Sequence, residues 1–99
     1  MISVIIRNRN EKEYIGFAIQ SVLDNFNNPE IIIVDNDSTD DSMKVVSMFD
    51  NCNIKKDSIN GTYTPGKSLN YGVSKASYDT ILVLSAHSQI TNMDIEYVE

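Results

Sequence analysis

The chain has 99 residues, 41% hydrophobic and 22% charged, which is typical of one soluble globular domain. Its 14 acidic and 8 basic residues give a net charge of −6, which argues against broad binding to nucleic acids or anionic membranes. The single cysteine, Cys52, excludes an internal disulfide framework and fits a reducing cytoplasm, and neither a signal peptide nor a transmembrane segment is visible.

The first predicted elements are a strand and a helix. Ile2 to Ile6 is an apolar, β-branched run of strand length, and the polar turn Arg7 to Asn10 follows it. From Glu11 to Phe26, apolar residues recur at steps of three and four, which predicts a helix with one apolar face. These apolar residues are Tyr14, Ile15, Ala18, Ile19, Val22, Leu23 and Phe26.

The second strand ends abruptly at a polar segment. Ile31 to Val34 predicts a buried strand, and the acidic and hydroxyl residues of Asp35 to Asp40 follow it directly. Either Ser38 or Thr39 is the predicted cap of a helix that runs to about Phe49. Because ligands of open α/β sheets bind outside the carboxyl ends of the strands, this polar segment predicts a binding site.

Three weaker or shorter elements complete the pattern. They are a strand around Asn53 to Ile59, a helix from about Lys67 to Ala76 and an apolar strand from Ile81 to Leu84. Strands that alternate with helices at this spacing imply right-handed crossovers and a parallel sheet. We therefore predict one domain over residues 1–99, an α/β Rossmann-like βαβαβαβ three-layer sandwich with a mostly parallel sheet.

Several ordered segments resemble one family. They are Ser3 to Glu11, Ala18 to Leu23, Ile31 to Asp40, Asn70 to Gly72 and Leu84 to His87. Together they resemble the nucleotide-sugar-binding half of family 2 glycosyltransferases, which have the GT-A fold. The resemblance implies that residues 1–99 form the donor-binding half of such an enzyme and that the acceptor half is absent.

The resemblance assigns roles to residues that follow the first two strands. It places Arg7, Arg9, Asp35 and Asn36 at the nucleoside, and it places Lys67 near the donor diphosphate. The side-chain chemistry agrees, since a carboxylate accepts hydrogen bonds from ribose hydroxyls and an amide can both donate and accept at a base edge. The family usually has a second Asp at the position of Asn36, so the identity of the base stays open.

The end of the fourth strand departs from the family pattern. Family members usually place Asp-x-Asp there, next to the ribose and a divalent metal, whereas this chain has Ser85 and His87. The resemblance therefore implies that Ser85 contacts the nucleotide sugar and that His87 is a ligand for Mn²⁺ or Mg²⁺. Ser85 brings no charge to offset a hard cation, and a lone histidine at a strand end is also consistent with a solvent-exposed or hydrogen-bonded side chain.

The resemblance also implies a reaction. Family 2 enzymes transfer a sugar from a nucleotide-diphosphate donor to a hydroxyl acceptor, here a glycan or lipid-linked glycan, with inversion and with a general base in the acceptor half. A donor half alone is expected to bind nucleotide weakly and to be nearly inactive. At the family level, we expect polysaccharide biosynthesis in the cytoplasm or at the inner face of the membrane.

Three alternatives stay open at this level. Asp35 to Asp40 is also explained by strand termination and helix capping alone. Gly61 to Ser68 matches the Walker A pattern of P-loop nucleotide-binding proteins, although the segment before it is a poor central strand. The chain is also consistent with a non-catalytic Rossmann-like module that binds nucleotides or a protein partner, or that self-associates through an exposed sheet edge.

The Asn-x-Gly of the third helix matches the family but does not require a ligand. We interpret Asn70 and Gly72 as residues that pack and hydrogen bond this helix against the fourth strand. They are therefore structural in this interpretation.

Overall fold

A computed structural model of the chain describes residues 1–49, 53–58 and 65–86. It confirms the predicted alternation of strands and helices. Within these ranges, no helix has the length and apolar character needed to cross a membrane. The elements in chain order are β1 (Ile2–Asn8), α1 (Ile15–Asn25), β2 (Glu30–Asp35), α2 (Ser42–Ser47), β3 (Ile54–Ser58), α3 (Pro65–Lys75) and β4 (Thr80–Ser85).

The strands form one four-stranded sheet in the order β3-β2-β1-β4, and all of its pairings are parallel. Strand β1 is central, with Ile5 opposite Ile32 of β2 and Val83 of β4. The chain moves outward from β1 through β2 to β3 and then crosses to the other side of β1 to form β4. The strand order therefore reverses between β1 and β4, which places a crevice at the carboxyl ends of these two strands.

Strand alternation divides the core between the two faces of the sheet. Helices α1 and α2 cover one face, and Ile5, Ile32 and Val34 project from the other face to pack against residues of α3 and β4. Fully burying each such side chain contributes about 2 kcal/mol, so both layers are needed to hold the central strands. The core of the α1 and α2 face consists of Ile2, Val4, Ile6, Ile15, Ile19, Val22, Ile31, Ile33, Val46, Leu82 and Ala86.

The starts of α1 and α2 were predicted too early. Helix α1 begins at Ile15 rather than Glu11, because the segment before it forms hydrogen-bonded turns. Helix α2 begins at Ser42, and neither Ser38 nor Thr39 caps it. Ser38 instead bonds to neighbouring loops and to Asp35. Tertiary hydrogen bonds thus replace the local capping that the sequence predicts.

The Asn-x-Gly motif of α3 was predicted to pack against β4. Its glycine instead packs against the central strand, β1. Gly72 is buried, and a Cβ atom built on it would lie 2.5 Å from Cγ2 of Ile5 in β1. Asn70 is exposed and does not take part in this packing. The missing side chain of Gly72 is what allows the helix backbone to approach the sheet so closely.

At the amino end of the sheet, the buried carboxylate of Glu30 fastens the connection between α3 and β4. Its Oε1 accepts from the Ser3 hydroxyl and the Ser77 backbone N–H, each at 2.8 Å, and its Oε2 lies 2.9 Å from Lys55 Nζ. The Ser3 hydroxyl also accepts from the Tyr78 N–H at 3.2 Å. Burial raises the pKa of Glu30, but the hydrogen bonds from Ser77, Lys55 and Ser3 outweigh it and lower the pKa to about 2.

Substituting glutamine for Glu30 should destabilise the chain at neutral pH by about 2 kcal/mol, because the ion pair with Lys55 is lost. The folded-state pKa lies below the ordinary value of 4.5, so the contribution is complete above about pH 5 and is lost as the pH falls toward 2. Urea unfolding of both proteins across this range measures the effect. The exposed Glu13→Gln is the control, and a pH-independent difference between wild type and Glu30→Gln would contradict the prediction.

Candidate functional site

The candidate site lies at the carboxyl edge of the sheet, where the strand order reverses. Arg7 of β1 is the register partner of Ser85 of β4, and the Arg7 carbonyl accepts from the Ala86 N–H at 2.8 Å. On the other side of β1, the Asn36 N–H donates to the Asn8 carbonyl at 2.9 Å. The ladder therefore continues past the ends of β2 and β4 and fixes the residues that follow them.

One face of this edge carries two buried donors that lack partners. Strand alternation places Arg7, Asn36 and Ser85 on the face that α3 covers. Among the described residues, Arg7 Nε and Asn36 Nδ2 are buried without a hydrogen-bond acceptor, and Asn36 is only 2% exposed. Because a buried unpaired donor costs about 1–3 kcal/mol, such a pair indicates a place where a ligand supplies acceptors.

The opposite face carries a polar network around Asn8, in which the amide nitrogen has partners within the chain and Oδ1 is buried without a donor among the described residues. Asn8 is 1% exposed, and its Nδ2 lies 2.9 Å from both Asp35 Oδ1 and Ser42 Oγ. The Asp35 carboxylate also accepts from the hydroxyl of Ser38 at 2.5 Å and from its backbone N–H at 3.2 Å. The Asp35 carboxylate is therefore engaged in hydrogen bonds within the chain. Its negative charge orients the Asn8 amide so that the Nδ2 group points toward it.

Sequence reasoning missed Asn8 and treated it only as part of a polar turn. The strand pattern contained the clue, since Asn8 continues the alternation of Val4 and Ile6 on the face covered by α1 and α2. A polar residue at an inward position needs a buried partner. Here the partner is the carboxylate of Asp35, which also accepts from the Ser38 hydroxyl. Asn36, the next residue, projects to the other face of the edge.

The structure brings most of the predicted site residues together, although on two faces. Arg9 joins them through its Nη1, which donates to the Asn36 carbonyl at 3.2 Å. Arg7, Asn36 and Ser85 share one face, and Asp35 projects to the other. Lys67 belongs to α3, and His87 lies outside the described residues.

The described residues at this edge of the sheet include few side chains that could coordinate a divalent cation. Across residues 1–49, 53–58 and 65–86, no three His, Cys, Asp or Glu side chains gather closely enough to hold a metal ion. Ser85 supplies a neutral hydroxyl, and Asp35 is already engaged by Asn8 and Ser38. Hard cations prefer several charged or carbonyl oxygens, so a metal here would depend on ligand oxygens and on His87.

Comparison with known proteins identifies the family. The model for Glycosyl transferase family 2 matches residues 3–98, a range that includes the Walker A-like segment. The search among curated proteins gives no match.

Solved structures agree in fold. S. aureus TarS, in a fragment solved with UDP, is 26% identical over 91% of this chain, with a TM-score of 0.84. The mannosyltransferase PcManGT from Pyrobaculum calidifontis, solved with GDP-Man and Mn²⁺, is 19% identical over 89% of the chain, with a TM-score of 0.72. For glucosyl-3-phosphoglycerate synthase from Mycobacterium tuberculosis, solved with UDP, these values are 19%, 89% and 0.74.

The chain is much shorter than these proteins. It covers 28% of the TarS fragment, 28% of PcManGT and 34% of the mycobacterial synthase. The match to the family model extends over nearly all of residues 1–99, and the described β3-β2-β1-β4 fold superposes on TarS with a TM-score of 0.84. The chain therefore belongs to glycosyl transferase family 2, and its described residues have the fold of GT-A glycosyltransferases.

Proposed function

We propose that this chain is the donor-binding part of a glycosyltransferase that moves a sugar from a nucleotide diphosphate to a hydroxyl acceptor. The observation that carries the proposal is the pair of buried, unpartnered donors, Arg7 Nε and Asn36 Nδ2, at the crevice beside β1. A nucleotide offers carbonyl, ring-nitrogen and phosphate acceptors to such donors. Binding would replace two unsatisfied groups with hydrogen bonds, so the site is built for a ligand that is rich in acceptors.

The other predicted residues complete the proposed contacts. Arg9 holds the backbone of Asn36 and brings positive charge to the edge, which favours an anionic ligand in a chain of net charge −6. We assign Ser85 to a hydroxyl contact with the nucleotide sugar and Lys67 to the diphosphate. Asp35 projects to the other face of the same edge, so we propose that the ribose reaches it at the end of β2, where lone pairs that Asn8 and Ser38 do not use accept from the ribose hydroxyls.

The proposed reaction divides between two regions. Direct displacement with inversion needs groups that stabilise the departing diphosphate and a base that takes the acceptor proton. The cationic residues here serve the first task. We assign the base to a carboxylate of an acceptor-binding region, so the chain alone should bind nucleotide and transfer little or no sugar.

A divalent cation is proposed as a partner of the diphosphate, with His87 as a protein ligand. When bound, Mn²⁺ or Mg²⁺ would neutralise the negative charge that develops on the leaving group. Neutral imidazole is an acceptable ligand for Mn²⁺, and Ser85 adds at most a weak hydroxyl contact. Titrations of UDP with and without Mn²⁺ test this assignment, since His87→Ala should lose the increase in affinity that the metal gives to wild type.

Asn36→Leu tests the proposal most directly. The variant should weaken the binding of UDP or GDP by about 10-fold to 100-fold, because a buried ligand acceptor loses its donor. The same change should leave the unfolding temperature equal or higher, since Asn36 Nδ2 has no partner among the described residues. Calorimetric titration and thermal unfolding measure the two effects.

Asn27→Leu is the matched control, because Asn27 is exposed near the opposite end of the sheet. It should leave nucleotide affinity unchanged. A wild-type chain that binds neither UDP nor GDP would overturn the proposal, as would equal affinities of wild type and Asn36→Leu.

A non-catalytic module is the second candidate, favoured by the neutral Ser85 where the family pattern has an acid. Such a module would bind nucleotide without metal enhancement and would be a candidate for self-association, which sedimentation measures. For the enzyme, we propose polysaccharide assembly in the cytoplasm or at the inner membrane face, an assignment that rests on the family and on the single Cys52.

A further inference from the structure

Two loops meet at the candidate site, and Asn10 joins them. The first loop, residues 9–14, follows β1, and the second loop, residues 36–41, follows β2. Asn10 Oδ1 accepts from the backbone N–H of Thr39 at 2.7 Å and from that of Asp40 at 3.2 Å. The Asn10 N–H in turn donates to Ser38 Oγ at 2.9 Å. The second loop is thus held by one side chain of the first.

Asp40 makes the reciprocal connection. Its Oδ2 accepts from the Lys12 N–H and its Oδ1 from the Ser42 N–H, each at 3.0 Å. Burial raises the pKa of Asp40, but the hydrogen bonds from Ser42 and Lys12 and the positive charge of Lys12 outweigh it and lower the pKa. The two loops therefore form a reciprocal clamp, made of Asn10 and Asp40 with the backbone groups that they bind.

The backbone at Asn10 also requires a particular residue type. Its φ of 52° lies in the left-handed region, where Asn, Asp and Gly are tolerated and most other residues are strained. A glycine would tolerate this conformation while removing the amide, but it would also make the backbone more flexible. A variant that retains an acceptor at this position is therefore needed to separate the role of the side chain from that of the backbone.

We propose that Asn10 is a positioning residue that holds the second loop in its ligand-binding form before the nucleotide arrives. The inference rests on the proposed function. The clamp begins one residue after Arg9 and three residues after Asn36, and Arg9 Nη1 also bonds to the Asn36 carbonyl at 3.2 Å. Without the clamp, the nucleotide must order the second loop when it binds, and the cost of that ordering is subtracted from its affinity.

Titration of UDP and GDP into three proteins tests the role. Asn10→Gly should weaken nucleotide binding by at least about 10-fold. This is the loss of affinity expected if the nucleotide must supply the free energy that orders the backbone of about one residue. Asn10→Asp combined with Asp40→Asn keeps the acceptor at position 10 and one of the two acceptors at position 40 with unchanged net charge, so it should recover part of the affinity. Thr39→Ala is the matched control, because Thr39 is exposed and serves the clamp through its backbone N–H.

Hydrogen exchange separates positioning from a general loss of stability. In wild type, the amide of Ser38, which donates to Asp35 Oδ2 at 3.2 Å, should be protected with or without nucleotide, whereas in Asn10→Gly it should become protected only when nucleotide is present. If Asn10→Gly does not fold, Asp40→Ala removes the other half of the clamp and should give the same pattern.

The outcomes are distinguishable. A wild-type chain that binds neither UDP nor GDP overturns the proposed function and the positioning role with it. If wild type binds and Asn10→Gly, or Asp40→Ala in its place, binds within about twofold of it, only the positioning role is overturned. Loss of affinity that the double variant partly recovers supports the role.

Discussion

Replacing Gly72 with alanine is expected to destabilise the chain by about 2 kcal/mol or more, equivalent to a fall of about 10 °C in unfolding temperature. The added Cβ would lie 2.5 Å from Cγ2 of Ile5 and 3.1 Å from its Cδ1. Ile5 is fully buried in the central strand, so it cannot turn away without disturbing its own neighbours. Either α3 moves outward or β1 shifts, and both weaken the core of that face.

A double-mutant cycle identifies the cause. Ile5→Ala alone should cost about 2–5 kcal/mol, because it leaves a cavity in the core. Combined with Gly72→Ala, it also makes room for the new methyl group, so the two changes together should cost clearly less than the sum of their separate effects. Chemical unfolding of the four proteins measures this. Simple additivity would show that α3 does not press on Ile5.

Asn8→Asp is expected to have the larger effect, about 3–5 kcal/mol at neutral pH. Asn8 Nδ2 lies 2.9 Å from Asp35 Oδ1, so the substitution replaces a hydrogen bond with two adjacent buried carboxylates. Such a pair retains a proton, and its apparent pKa rises in the folded state. The chain should therefore be least stable above that raised pKa and should recover as the pH falls below the ordinary range of carboxylates.

Exchange of the two groups tests the electrostatic cause. Asn8→Asp combined with Asp35→Asn restores one carboxylate and one amide at the same distance, so it should recover a large part of the lost stability. Asn27→Asp adds the same charge at an exposed position and should be nearly neutral. Urea unfolding at several pH values measures these effects. A loss in Asn8→Asp that does not change with pH would refute repulsion as its origin.

The two faces at the carboxyl edge of the sheet have different roles. The network of Asn8, Asp35 and Ser38 satisfies its donors within the chain and holds the strand ends together, and its one unpartnered buried atom among the described residues is the acceptor Asn8 Oδ1. Arg7 and Asn36, on the face covered by α3, keep buried donors that nothing in the described chain accepts. Natural proteins commonly accept such a local cost at binding sites, which is why the second face is the better candidate for the ligand.

Some features of the fold were predictable from short-range pattern alone. The buried strands β1 and β2 and the apolar face of α1 are encoded by spacing, because a helix repeats every 3.6 residues and a strand every two. The same runs show where polar residues begin, and so they locate Arg7 and Asp35 at strand ends. For these elements, each residue's local preference agrees with its place in the core.

Other features depended on residues far apart in the chain. Ser38 follows the local rule for a helix cap, yet its hydroxyl accepts from the backbone N–H of Asn10 in the loop after β1, and α2 begins later, at Ser42. Asn8 appears in sequence as one polar residue in a turn, and only the alternation of β1 together with the approach of Asp35 makes it a buried network centre. No local pattern distinguishes these arrangements, since the partners are separated by about as many residues as a whole βα unit.

The sequence by itself determined the parallel α/β class, the family resemblance and the residues that stand at the strand ends, because periodicity and motif order are local properties. Only the tertiary structure decided that Asp35 meets Asn8, that Asn10 and Asp40 join two loops, and that Gly72 packs on Ile5. The physical reason is that hydrogen bonds and close packing depend on which groups are in contact. The order of strands across the sheet determines which residues that are distant in sequence come into contact.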